Sequence, residues 1–119
     1  MEEYLSQLNE AQLAPTIHTE GALMVIAGAG SGKTRVLTYR IAYLMHKGVD
    51  AFNILSLTFT NKAAREMKHR IAQIVGNTEA KNLWMGTFHS IFAKILRFEA
   101  DKLGYPSNFT IYDLSLIHI

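Results

Sequence analysis

The sequence predicts an α/β fold, a parallel sheet flanked by helices, and three observations carry that prediction. Short apolar runs alternate with amphipathic stretches along the chain, the pattern of strands and helices laid in turn around a parallel sheet. The run Leu23-Met24-Val25-Ile26 is continuous rather than alternating, as in a strand covered on both faces by crossover helices. A glycine-rich turn then joins that run to a helical pattern.

Each element has its own grounds. Asn9 suits the N-cap of a short helix whose third position is Gln12, with Leu8 and Leu13 placed as a hydrophobic staple. Leu23 to Ile26 is the first expected strand. A helix beginning near Lys33 places Leu37, Ile41, Leu44 and Met45 at helical spacing, and Gly48 terminates it. Asn53 to Phe59 reads as the second strand. It feeds a helix with Ala64, Met67, Ile71 and Ile74 as the buried stripe. Lys62, Arg65, Lys68, His69 and Arg70 crowd the same helix, and Glu66 is spaced to pair with Arg70. Leu83 to Gly86 is the third strand, and Thr87 caps a helix expected to bury Phe88, Ile91, Phe92, Ile95 and Leu96 before Gly104. Phe109 to Tyr112 is a candidate fourth strand. With no internal repeat, low-complexity segment or linker, the chain reads as one domain or part of one.

Composition narrows the function. A hydrophobic fraction of 49% with 18% charged residues belongs to a folded globular chain rather than a disordered one. The formal charge of +2 is too small to announce nucleic-acid binding, so that inference must rest on where the basic residues sit. The absence of cysteine excludes disulfides and thiolate metal sites. The start, Met1-Glu2-Glu3, is acidic where a secretory signal is basic, and the apolar run Ala22 to Ala29 is too short to span a bilayer. The expectation is a cytoplasmic protein with no membrane partner.

The chemistry concentrates after the first expected strand, in Ala27-Gly28-Ala29-Gly30-Ser31-Gly32-Lys33-Thr34. Strand, glycine-rich turn and helix is the setting of a phosphate-binding loop. Glycines let successive backbone N–H groups curl round an oxyanion, and the helix start adds a favourable dipole. Lys33 supplies a point charge for the β- and γ-phosphates, and the Thr34 hydroxyl is placed to ligate Mg²⁺. Ala27 stands where the usual pattern has glycine. The motif names the ligand type and not the job. A GTPase reads guanine through Asn-Lys-x-Asp, whereas Asn61-Lys62 is followed by Ala63-Ala64 and offers the base no carboxylate.

Four ordered segments from about Leu8 to Asp113 resemble the UvrD/Rep/PcrA group of superfamily-one DNA helicases. Leu8-Asn9-Glu10-Ala11-Gln12 is similar to the Q motif, Ala27 to Arg35 to motif I, Thr58 to Arg70 (TFTNKAAREMKHR) to motif Ia, and Gly86 to Ser90 (GTFHS) to the element that follows. The resemblance implies a RecA-like P-loop NTPase fold, incomplete here, within an ATP-dependent helicase that translocates 3′ to 5′ on single-stranded DNA. ATP and Mg²⁺ would be held by Ala27, Gly28, Ala29, Gly30, Ser31, Gly32, Lys33, Thr34 and Arg35. Lys33 and Thr34 are the catalytic candidates among them, and Thr34 is the metal ligand. Gln12 would contact adenine, since an amide both donates and accepts; it equally fits a capping box with Asn9.

The resemblance also implies a DNA-facing set. Phe59 would stack on a base, although a core phenylalanine reads the same way. Thr60 and Asn61 would meet the sugar-phosphate backbone or simply cap their helix. Lys62 is the basic residue favoured for DNA, and His89 and Ser90 would share that surface by likeness alone. The TFTNKAAREM string argues against the rival reading, another P-loop enzyme such as a small-molecule kinase.

Such motors also need an Asp for Mg²⁺, a Glu to orient water and an arginine across the cleft. No such acidic pair is found in the sequence; Asp113 ends a strand-like run but no Glu follows. The tail Leu114 to Ile119 departs from the family pattern and reads as a truncated frame or cloning scar. The expectation is therefore residues 1–113 as the first part of the helicase's ATP-binding domain, inactive in catalysis alone.

Overall fold

A computed structural model describes residues 3–28 and 32–109 of the chain. After a 3-10 turn at Glu3–Gln7 come α1 (Glu10–Ile17), α2 (Lys33–His46), a 3-10 turn at Ala51–Asn53, β1 (Leu55–Thr58), α3 (Asn61–Val75), the short α4 (Asn77–Ala80), β2 (Trp84–Thr87) and α5 (Phe88–Glu99). A last 3-10 turn, Ala100–Leu103, ends at Gly104.

The helix starts are set by side chains that satisfy otherwise orphaned backbone donors. At α1 the Asn9 side-chain oxygen accepts from the Gln12 N–H at 2.9 Å, and the Gln12 side-chain oxygen accepts from the Asn9 N–H at 3.1 Å. At α3 the Thr60 hydroxyl accepts from the Ala63 N–H at 3.1 Å. At α5 Thr87 and Ser90 form the same reciprocal pair, at 3.1 Å and 3.0 Å. The helix stops follow local chemistry too, α3 ending on Gly76 at φ +96°.

β1 and β2 pair in parallel, with Leu55 beside Trp84, Ser56 beside Met85, Leu57 beside Gly86 and Thr58 beside Thr87. Successive residues of a strand face opposite ways, so two packed faces result. Ser56 and Met85 look towards α3, where the Ser56 hydroxyl donates to the Met67 sulfur at 3.4 Å. Trp84 and Gly86 look towards α5, whose Lys94 ammonium lies 4.9 Å from the Trp84 ring centroid. The core joins Ile41 of α2, Ala51, Ile54, Met67 and Ile71 of α3, Ala80 and Leu83. α1 packs on α2 separately through Thr16 and Thr38, both fully buried and bonded by their hydroxyls to the carbonyls of Gln12 and Thr34.

Several expectations are corrected. Leu23 to Ile26 is not a strand: residues 22–28 carry no regular structure, and Met24 and Ile26 are 85% and 93% exposed. A strand is defined by its ladder, and among the described residues β1 and β2 pair only with each other. α5 buries Ile91 and Ala93 instead of its aromatic face, leaving Phe88, Phe92 and Leu96 exposed. Leu37 is half exposed on α2, where Val36, Thr38 and Ala42 join Ile41 inside. Glu66 and Arg70 form no ion pair. Phe109 lies outside any strand, and the rest of the expected fourth strand, with Asp113 and the tail, falls outside the described residues. Of the two remaining strands, β1 is the expected run trimmed at both ends, and β2 is shifted by one residue, beginning at Trp84 and running on through Thr87.

Candidate functional site

The phosphate-loop candidates converge on the start of α2. Ala27 and Gly28 lead into it; Ala29, Gly30 and Ser31 fall outside the described residues. Gly32 occupies the N-cap at φ +82°, a left-handed conformation that side chains disfavour, and no side chain caps the helix. Among the described residues no side chain accepts from the first backbone donors of the helix, the arrangement an anion exploits. Lys33, Thr34 and Arg35 are exposed in its first turn. Lys33 lines a hollow of about 250 Å³ with Pro15, Val25, Ala27 and Arg40. Arg40 is tied down from behind, one guanidinium nitrogen donating to the His18 carbonyl at 2.9 Å.

Gln12 belongs to the same neighbourhood. Its side-chain oxygen completes the α1 cap, while its amide nitrogen donates to the Gly32 carbonyl at 3.4 Å. Both ends of the amide are thus engaged, which ties the start of α1 to the start of α2. Sequence reasoning reaches the cap and not this second bond, because nothing local announces a contact twenty positions away.

A second group gathers where both strands end. Phe59 directly follows β1 and is 90% exposed, so it lies outside the core of this chain. Its ring lies 5.4 Å from Phe88, which lies 6.2 Å from Phe92, so three rings form one exposed aromatic row. Thr60 is a genuine cap, its hydroxyl held by the Ala63 N–H and its carbonyl accepting from the Thr58 hydroxyl at 3.0 Å. Asn61 and Lys62 are exposed beside it, and His89 is exposed on the first turn of α5. Ser90 is committed to the Thr87 cap, where its hydroxyl also donates to the Thr87 carbonyl at 3.1 Å. Periodicity places Phe88 and Phe92 in the core, which hides the aromatic row from sequence reasoning; their four-residue spacing beside the Phe59 strand end is the signal that finds it.

Among the described residues no group of three or more His, Asp or Glu side chains could hold a metal. Nor is any described helix long and apolar enough to cross a membrane.

A family model described as the UvrD/REP helicase N-terminal domain matches residues 8–117. The chain belongs to that family. Its curated relatives include the ATP-dependent DNA helicase PcrA of Staphylococcus aureus and that of Staphylococcus epidermidis, each 54% identical over 114 residues. Those alignments cover 95% of this chain and 16% of each relative. As a UvrD/REP-type chain it carries all four quoted segments inside the matched range, which includes the α2 start and the aromatic row alike.

Proposed function

We propose that the chain is the ATP-binding segment of an ATP-dependent DNA helicase. On this reading it supplies a RecA-like P-loop domain whose parent moves 3′ to 5′ along single-stranded DNA. The observation that carries the proposal is the start of α2, where a helix with no side-chain cap among the described residues opens on Gly32, Lys33 and Thr34 beside a hollow lined by Lys33 and Arg40. Family membership supports it, and so do the names of the relatives.

The residues suit a nucleotide triphosphate. Lys33 offers charge to its terminal phosphates, and the Gly32-led helix start offers backbone donors. The Thr34 hydroxyl would hold Mg²⁺ here. The ion would supply charge neutralisation at the transferring phosphoryl group. Arg35 stands on the same turn. Gln12 would reach adenine only by giving up a bond it now makes, so its structural role is primary and base contact secondary. Phe59, Thr60, Asn61, Lys62, His89 and Ser90 would form the DNA-facing group, with stacking on Phe59 as its centre. The chain spans 16% of its relatives, and we expect nucleotide binding without turnover from it alone.

Calorimetric titration of ATP with Mg²⁺ tests the reading. The unaltered chain should bind, and Lys33→Ala should weaken binding at least tenfold while leaving the helical circular-dichroism signal intact. Equal affinities for the two chains would refute the nucleotide assignment.

A further inference from the structure

α3 carries a second basic feature that the nucleotide and stacking sites do not use. Arg65, Lys68, His69 and Ala72 recur three and four residues apart and so share one face of the helix. Continuing that face backwards reaches Lys62 and Asn61, beside Phe59. Ala64, Met67 and Ile71 occupy the opposite, buried side. Where the face meets the residues around α4 there is a hollow of about 360 Å³, lined by Arg65, Lys68, His69, Asn77 and Lys81 with two alanines between them.

No carboxylate lines this hollow. Glu79 on α4 lines a different one, with Tyr4 and His46. Glu66 stands one turn from Lys62 and His69 at the border of this face, about 100° round the helix from Arg65, and does not line the hollow. Arg65, Lys68 and Lys81 form no ion pair with any described residue. Three cations gathered without a counter-charge repel one another, and an anion entering among them converts that repulsion into attraction. An ordinary solvated face spreads both signs of charge instead.

We infer that this face of α3, with Lys81, is a track for the phosphodiester backbone, carrying the DNA strand onward from the base stacked at Phe59. The inference rests on the DNA reading above and extends its footprint. From Asn61 to His69 the helix advances about 12 Å, enough for more than one phosphate. A continuous run from the Thr60 cap to Lys81 favours a linear polyanion over a single small anion. Backbone contacts of this kind fix the strand's position without reading sequence.

The test is fluorescence anisotropy of a labelled oligothymidylate with the full 119-residue chain across a salt series. Lys68→Ala/Lys81→Ala should weaken binding several-fold and flatten the dependence of log affinity on log salt by about 0.7 for each phosphate no longer neutralised. The charge-matched pair Arg70→Ala/Lys47→Ala, on other surfaces, should leave the slope unchanged, and Lys68→Arg/Lys81→Arg should restore it. Equal slopes for the two alanine pairs would overturn the track. Loss of binding in Phe59→Ala with those equal slopes removes the track and leaves the stacking assignment standing. No binding by the unaltered chain removes both.

Discussion

At Gly86 the backbone of β2 runs against the first turn of α5. A Cβ built there would lie 2.7 Å from the Ser90 hydroxyl oxygen and 3.2 Å from the Ile91 side chain. Ser90 cannot swing away without breaking the cap it shares with Thr87, so the neighbour that must yield is a structural one. Gly86→Ala should cost about 1–3 kcal/mol, as overpacking does. Urea unfolding should show it as a lowered midpoint at constant slope, and an unchanged midpoint would contradict the close approach. Gly32 has a comparable constraint for a different reason, its φ of +82° and the Gln12 amide nitrogen standing where a side chain would begin. At this scale the sequence is informative wherever the partner is near. Asn9 and Gln12 announce their cap by spacing, whereas the Gln12 to Gly32 bond depends on how α1 lies on α2.

Among the elements, α3 is the most legible. Its apolar positions fall at 64, 67, 71 and 74, one side of a helix, and the structure buries the first three. Ile71 has no exposed surface and sits in the core among Met67, Ile41 and Leu83. Ile71→Ala should therefore destabilise the chain by about 2–5 kcal/mol. The thermal midpoint reads that loss, and a shift no larger than an exposed alanine substitution on α3 produces would show the core is elsewhere. Leu23 to Ile26 is illegible for the opposite reason. Its residues favour extension and burial, but a ladder needs a second backbone, and the run's own chemistry does not say whether one is beside it. The aromatic side of α5 misleads similarly: Phe88, Phe92 and Leu96 recur as a core stripe does, and periodicity alone cannot distinguish a face that packs from one left open.

Across the whole molecule the open apolar surface is large. Met24, Ile26, Phe59, Phe52 and Phe98 are each more than half exposed, and exposed apolar side chains of that kind favour association. Dilution series by sedimentation velocity should reveal concentration-dependent association of the chain. Met24→Lys/Ile26→Lys should reduce it, and identical profiles for the two would place the sticky surface elsewhere. The candidate nucleotide site is legible because it is written as one contiguous string. The proposed DNA-facing edge is half legible, since Phe59 is fixed by its motif and its two aromatic neighbours are brought to it by the sheet.

That dependence on the sheet follows from a single row of the ladder. Thr58 stands beside Thr87, so both strands leave the sheet at one level and hand over at once to Phe59 and Phe88. Sliding β2 past β1 by one position would displace one ring by about 3.3 Å and turn its strand inside out. Ring spacing along this rim is thus a ruler of strand alignment, and any event that moves one strand against the other would be felt first as a change in the gap between two phenylalanines.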